Sequence, residues 1–169
     1  MLNNQIKIFT TGGTIDKIYF DDRSEYQVGE PQIGNVLKEA NVTRRYEITS
    51  LMRKDSLDLT DSDRHMICQA VIACPQNRII VTHGTDTMVT TAKELKKVTG
   101  KVIVLTGAMQ PAKFRFTDAV FNIASAFTSV QLLPDGVFIA MNGRIFDPDQ
   151  ATKNRELNRF EVRGDKKNG

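Results

Sequence analysis

Five short runs rich in β-branched residues, at 6–10, 47–51, 79–82, 102–106 and 136–141, recur along the chain with longer, helix-compatible stretches between them. Segments such as IIVT and VIVLT are apolar at consecutive positions rather than at alternate ones. A strand of that kind is covered on both faces, which is the situation of an interior strand in a parallel sheet. The intervening stretches 33–40, 62–73, 88–99 and 117–130 carry spacing that predicts helices. Thr60-Asp61-Ser62 supplies N-cap candidates for the second of these, and Thr99-Gly100 a stop for the third. Repeated β-then-α order predicts an α/β fold in which right-handed crossovers lay helices on both faces of the sheet.

The architecture expected is a three-layer αβα sandwich around a doubly wound, mostly parallel sheet, Rossmann- or flavodoxin-like, in a single domain. A chain of 169 residues is long enough for one such core without disulfides or metals. The domain is expected over 1–160, followed by a polar C-terminal tail over 161–169. Polarity rises from about Lys153, and Arg163-Gly164-Asp165 reads as coincidence rather than an adhesion motif. With 23 basic and 20 acidic residues the net charge is only +3, and the basic residues are scattered except for Arg159, Arg163, Lys166 and Lys167. Nucleic-acid binding calls for a denser patch and is not predicted. No apolar run reaches the roughly 18 residues of a membrane span, and residues 1–9 lack the form of a signal peptide, so no membrane partner and a cytoplasmic location are expected. Cys68 and Cys74 stand in no zinc-binding spacing, and His65, three residues before Cys68, adds only one more candidate ligand. No metal and no cofactor are expected.

Ligands of doubly wound sheets bind beyond the carboxyl ends of the strands, so the loops there carry the functional reading. They are TTGGTIDK, RKDSLDLTD, HGTDTM and TGAMQPAKF. Gly12 and Gly13 permit a sharp turn with positive φ, and Thr10, Thr11 and Thr14 place hydroxyls around it. A phosphate cradle is the rival reading, but neither GxGxxG nor GxxxxGK[ST] is present. His83-Gly84-Thr85-Asp86 repeats the pattern of glycine, hydroxyl and carboxylate at a second strand end. Asp86 has an alternative duty as a helix cap. Two hydroxyl-bearing loops on one crevice suit nucleophilic chemistry, which needs an alcohol with a base nearby.

The stretches TTGGTID, HGTDTM, TGAMQP and DPDQATK, in that order, resemble the signature segments of the bacterial-type, threonine-dependent L-asparaginase family. The resemblance implies an amidohydrolase that converts L-asparagine to L-aspartate and ammonia through an acyl-enzyme. It makes Thr14 the nucleophile and Tyr26 a flap residue that closes over it. Thr85, Asp86 and Lys153 become a second triad, in which lysine activates the hydroxyl and the carboxylate orients the lysine. A lysine acts as a base only when neutral, and burial is the usual agent that lowers its pKa from about 10.4. Asp86 is also implied to receive the substrate's α-ammonium and Ser56 its α-carboxylate. Gly13, Thr85 and the main chain at Ala108 complete the substrate-binding set. Leu57 stands where many members carry a second carboxylate donor. Full-length members are about twice as long and take an acid from a second domain; a flap residue such as Glu25 is one candidate substitute. The partners implied are a small-molecule substrate and further copies of the chain, as a homodimer or homotetramer. The alternative reading is a non-catalytic amino-acid-binding or regulatory module.

Overall fold

The computed structural model describes residues 5–20 and 25–164. The main sheet is built out from β1 (Ile6–Gly12), an interior strand buried along its whole length. Parallel strands flank it on both sides, β4 (Tyr46–Lys54) and β5 (Arg78–Thr82), with Phe9 opposite Thr49 in one and Val81 in the other. Next come β6 (Val102–Thr106) and β7 (Gly136–Met141), also parallel, and an antiparallel edge strand β8 (Arg144–Phe146). The order across the sheet is β4-β1-β5-β6-β7-β8. Renumbering only the parallel strands gives 2-1-3-4-5, the flavodoxin-like order, and the chain reverses direction across the sheet between β1 and β5.

The period-2 alternation of strand side chains divides the core in two. Phe9, Ile79, Val81, Ile103, Leu105 and Ile139 pack against α2 (Asp61–Ala73) and α3 (Met88–Leu95) through Ile67, Val71, Met88 and Leu95. Ile6, Ile8, Ile80, Val102 and Val104 pack against α1 (Ile33–Glu39) and α4 (Ala119–Leu132) through Ile33, Leu37, Ile123 and Phe127. Apolar side chains on both sides of the same strands require helices on both sides, which accounts for the three layers. The sandwich and the five parallel strands are as expected. Helix α2 begins at a capping box: the Thr60 hydroxyl accepts from Asp63 N at 3.2 Å and the Asp63 carboxylate accepts from Thr60 N at 2.9 Å. Helix α3 stops at Leu95, four residues before the expected end, and the chain turns at Gly100 with φ +73°.

Two hairpins extend the expected pattern. One joins β2 (Lys17–Phe20) to β3 (Glu25–Val28), the other β9 (Ala151–Asn154) to β10 (Arg159–Val162). Strand β10 runs on to Val162, past position 160, where the domain was expected to end. Phe160 is buried, packs on Phe146 at 6.2 Å, and donates its N–H to Asn142 Oδ1 at 2.8 Å. Residues 161–162 therefore belong to the folded unit, while Asp165, Lys166 and Lys167 lie outside the described residues. Cys68 and Cys74 are buried and unlinked. Among the described residues no helix is long and apolar enough to cross a membrane.

Candidate active site

The reversal between β1 and β5 opens a crevice, and both hydroxyl loops leave from it. At the end of β1 the register with β4 shifts between Thr10 and Gly12, and Gly12 and Gly13 follow at φ +100° and +90°. Those values lie where only glycine is unstrained. Gly13 N donates to Lys54 O at 2.9 Å, and Thr14 then opens a single 3₁₀ turn, Thr14–Asp16. Of the threonines on this bend, Thr11 is structural: its hydroxyl donates to Thr82 O at 2.9 Å and ties the ends of β1 and β5 together. Thr14 is half-buried, and among the described residues its hydroxyl makes no hydrogen bond.

Glycines bring the loops into main-chain contact. A Cβ on Gly13 would sit 2.5 Å from Gly84 Cα, and one on Gly84 would sit 2.6 Å from Ser56 Cβ and Oγ. A Cβ on Gly107, at the end of β6, would lie 2.3 Å from His83 O. The loops after β1, β5 and β6 thus meet backbone to backbone, while the loop after β4 lays the Ser56 side chain on Gly84, and each contact requires glycine on one side. Ser56, 1% exposed, braces the HGTDT segment: its carbonyl accepts from the Thr87 hydroxyl at 2.8 Å and its Oγ from Thr87 N at 3.4 Å. Ala108 is buried. Its loop is folded by the Asp118 carboxylate, which accepts from Met109 N and Gln110 N at 2.9 and 3.0 Å.

Thr85 is 5% exposed and its Oγ1 lies 2.8 Å from Lys153 Nζ. The same Nζ lies 3.0 Å from Asp86 Oδ1, so hydroxyl, amine and carboxylate form one bonded set. Lys153 comes from β9, remote in sequence, and the hairpin that delivers it is anchored by Phe160 directly across from it in the register. Its side chain is 15% exposed. Arg155, largely exposed, approaches the same Asp86 oxygen at 3.4 Å. Lys153 is thus no solvated tail lysine.

The flap hairpin presents Tyr26 opposite Tyr19, and the Tyr26 ring packs on Tyr19 at 5.2 Å and Phe114 at 5.6 Å. The recorded contacts of Tyr26 are therefore aromatic, and among the described residues its hydroxyl makes no hydrogen bond. Glu25, exposed beside it, accepts from Gln27 Nε2 at 2.5 Å.

Two further residues at this crevice were not singled out from sequence. Asp16 is 2% exposed; its Oδ1 accepts from Gln32 N at 2.9 Å, while Oδ2 is buried with no partner. Burial pushes its carboxyl up to about 7, against the opposing effects of the Gln32 N–H and the Arg53 charge. Its main chain also accepts from Gly29 N at 2.9 Å, so Asp16 fastens both roots of the flap to the Thr14 turn. His83 is fully buried, with Nδ1 at 2.7 Å from Gly84 O and Nε2 at 2.8 Å from Thr91 Oγ1. The motif HGTDTM contains it, but only the burial reveals that both ring nitrogens are spoken for.

Comparison with known proteins shows the family to which the fold belongs. The family model "Asparaginase, N-terminal" matches residues 5–163. Over 164 residues the chain is 30% identical to the glutaminase-asparaginase of Acinetobacter glutaminasificans, covering 89% of this chain and 50% of that protein. The thermostable L-asparaginase from Thermococcus kodakarensis superposes with a TM-score of 0.81 at 25% identity, over 94% of this chain and 51% of that one. A probable cytoplasmic L-asparaginase from Campylobacter jejuni superposes at 0.78 and 25% identity, over 94% and 53%. The chain spans about half the length of the curated relatives it matches.

Proposed function

Because this chain belongs to the family of asparaginase N-terminal domains, we propose that it hydrolyses the side-chain amide of L-asparagine to L-aspartate and ammonia. The observation that carries this reading is the Thr85–Lys153–Asp86 set, in which a buried hydroxyl and a largely buried amine meet at 2.8 Å. In the proposed reaction Thr14 Oγ1 attacks the amide carbon, and its proton passes to the leaving nitrogen. The C–N bond breaks, ammonia departs, and an ester on Thr14 remains. Water then adds to the ester, giving up its proton through Thr85 to Lys153, and L-aspartate leaves as Thr14 recovers a proton. Positioned proton transfer of this kind contributes about 10²–10⁴-fold.

The substrate's charged ends find matching groups. Asp86 Oδ1 is shared by Lys153 and Arg155, which leaves Oδ2 for the α-ammonium. Ser56 Oγ accepts from Thr87 N and keeps its own proton to donate to the α-carboxylate. Leu57 is exposed and offers no second donor. Tyr26 is assigned to close over Thr14 when the flap leaves its aromatic rest position. The protein is proposed to work as a homodimer or homotetramer, supported by Phe116, Phe121 and Leu132, which are 81%, 61% and 79% exposed. Light scattering at working concentration should find more than one copy, and a monomer throughout would remove this part of the proposal.

Ammonia release from L-asparagine, compared among the native chain and the Thr14→Ala, Thr85→Val and Lys153→Met variants, tests the reaction. Turnover by the native chain with loss in each variant is expected. Binding of L-asparagine without ammonia release identifies a binding module instead.

A further inference from the structure

We propose that His83 is a positioning residue: by holding the Gly84 carbonyl, it aims the main-chain N–H of Thr85 at the oxyanion that forms during amide hydrolysis. This deepens the asparagine-hydrolysis reading and rests on it for the identity of the oxyanion. The imidazole immediately follows β5 and is wholly enclosed. A carbonyl oxygen only accepts, so the 2.7 Å contact with Gly84 O fixes the proton on Nδ1. Nε2 is then bare and accepts from the Thr91 hydroxyl at 2.8 Å. The other tautomer could keep the Thr91 bond, with Nε2 donating, but would set a bare Nδ1 against Gly84 O, so the Gly84 contact decides between them. Burial pushes the pKa of the ring down to about 4, outweighing the raising effect of Gly84, so the ring is neutral at ordinary pH.

The consequence for Thr85 follows from the planarity of the peptide unit. In a trans peptide the C=O and the following N–H point in opposite directions. With Gly84 C=O turned towards the enclosed imidazole, the N–H of Thr85 points the other way. The neighbours of this peptide are those of the site: the Gly13 turn touches Gly84 on one side, Ser56 on another, and Thr85 Oγ1 contacts Lys153. Among the described residues no group accepts from the Thr85 N–H. A main-chain donor next to the turn that carries Thr14 is suited to a carbonyl oxygen gaining charge, and one such donor is worth about 10²–10³-fold in rate.

The histidine variants separate aiming from packing. Asn at position 83 places a side-chain N–H close to the native Nδ1, whereas Gln places its amide near Nε2 and leaves Gly84 O without that donor. His83→Gln should lower kcat for L-asparagine about 10²-fold with KM within about twofold, since the lost contact acts on the transition state. His83→Asn should recover most of that loss, and Thr91→Val, remote from the peptide, should fall between. Equal loss in Asn and Gln variants of matching thermal stability, or a change confined to KM, overturns the proposal. A readout independent of turnover is nitrogen NMR: His83 should show a protonated Nδ1 and bare Nε2. The Thr85 amide signal should move when L-aspartate is added to the native and Asn proteins but not to the Gln protein. The opposite tautomer, or a Thr85 amide indifferent to L-aspartate in the native protein, also overturns it. If the native chain releases no ammonia, the hydrolysis reading fails while these two measurements still decide the role of His83.

Discussion

Thr85 and Thr14 leave adjacent parallel strands, yet one is 5% exposed and bonded to Lys153 at 2.8 Å while the other is half-buried with its hydroxyl unbonded among the described residues. The Thr85 loop is assembled before any substrate arrives. Its carbonyl is held by His83, its hydroxyl and carboxylate by one lysine, and its next turn by Ser56. The Thr14 loop meets Gly84 through Gly13, but the strand pair that follows it, β2–β3, holds its tyrosine against Tyr19 and Phe114 and is the segment proposed to close over Thr14. On the proposed mechanism the reorganisation falls to one side of the crevice. Electrostatic groups are most effective when they need not move during the reaction, and groups that gate access must move.

Substituting the two sides of that contrast gives the largest expected effect. Lys153→Met and Thr14→Ala should each lower ammonia release by at least about 10²-fold. The Lys153 variant should lose it without a matching loss of substrate binding, measured by calorimetry with L-aspartate. Loss in only one of the two would show that a single loop carries the chemistry.

The next effect is a pH dependence seated in the Thr14 loop. Asp16 rises from 3.8 to about 7 on folding, principally through desolvation, so the folded protein keeps a proton that the unfolded chain releases. Stability therefore falls as pH rises between about 4 and 7, by up to an order of 4 kcal/mol once Asp16 is fully ionised. Asp16→Asn, which retains an oxygen for Gln32 N, should stabilise the protein at pH 8 and gain little at pH 4, in urea titrations at each pH. A constant difference across that range would show that Asp16 does not carry the pH dependence of stability.

Smaller is the expected cost of Gly13→Ala. Its φ of +90° and the 2.5 Å approach to Gly84 predict a loss of about 1–3 kcal/mol matched by a fall in activity, because the strain can be relieved only by parting the two loops. Stability lost with full activity retained would mean that the loop contact does not set the chemistry. Thr60→Ala, which removes the α2 cap and touches neither threonine loop, should cost about 1 kcal/mol in urea with turnover within twofold of native. It is the control for effects that act through stability alone.

Legibility in the sequence follows the same division. The five parallel strands and four helices were readable because their signal is local: β-branched runs, caps and spacing. Thr85, Asp86 and Ser56 stand in loops at predicted strand ends, but the roles given to them came from the family resemblance and not from their position. The strands of the two hairpins gave no local signal: KIYF pairs with EYQV and ATKN with RFEV, all short strands of mixed polarity outside the main sheet. Asn142-Gly143, with φ of +52° and +72°, carried a hairpin signal for β7–β8 that the residues alone display. His83 and Asp16 were invisible for another reason. Their roles depend on enclosure, on a hydroxyl eight positions along α3 and on a carboxyl oxygen left without a donor, and none of these is a property of neighbouring letters.

The meeting of Gly13 with Gly84 has a geometric consequence for how such a protein can vary. Where loops touch through side chains, their separation drifts whenever a residue is exchanged for a larger or smaller one. Here main-chain atoms set the spacing between the two alcohols, and the polypeptide offers no shorter ruler, so residues elsewhere can change freely while that gauge stays fixed.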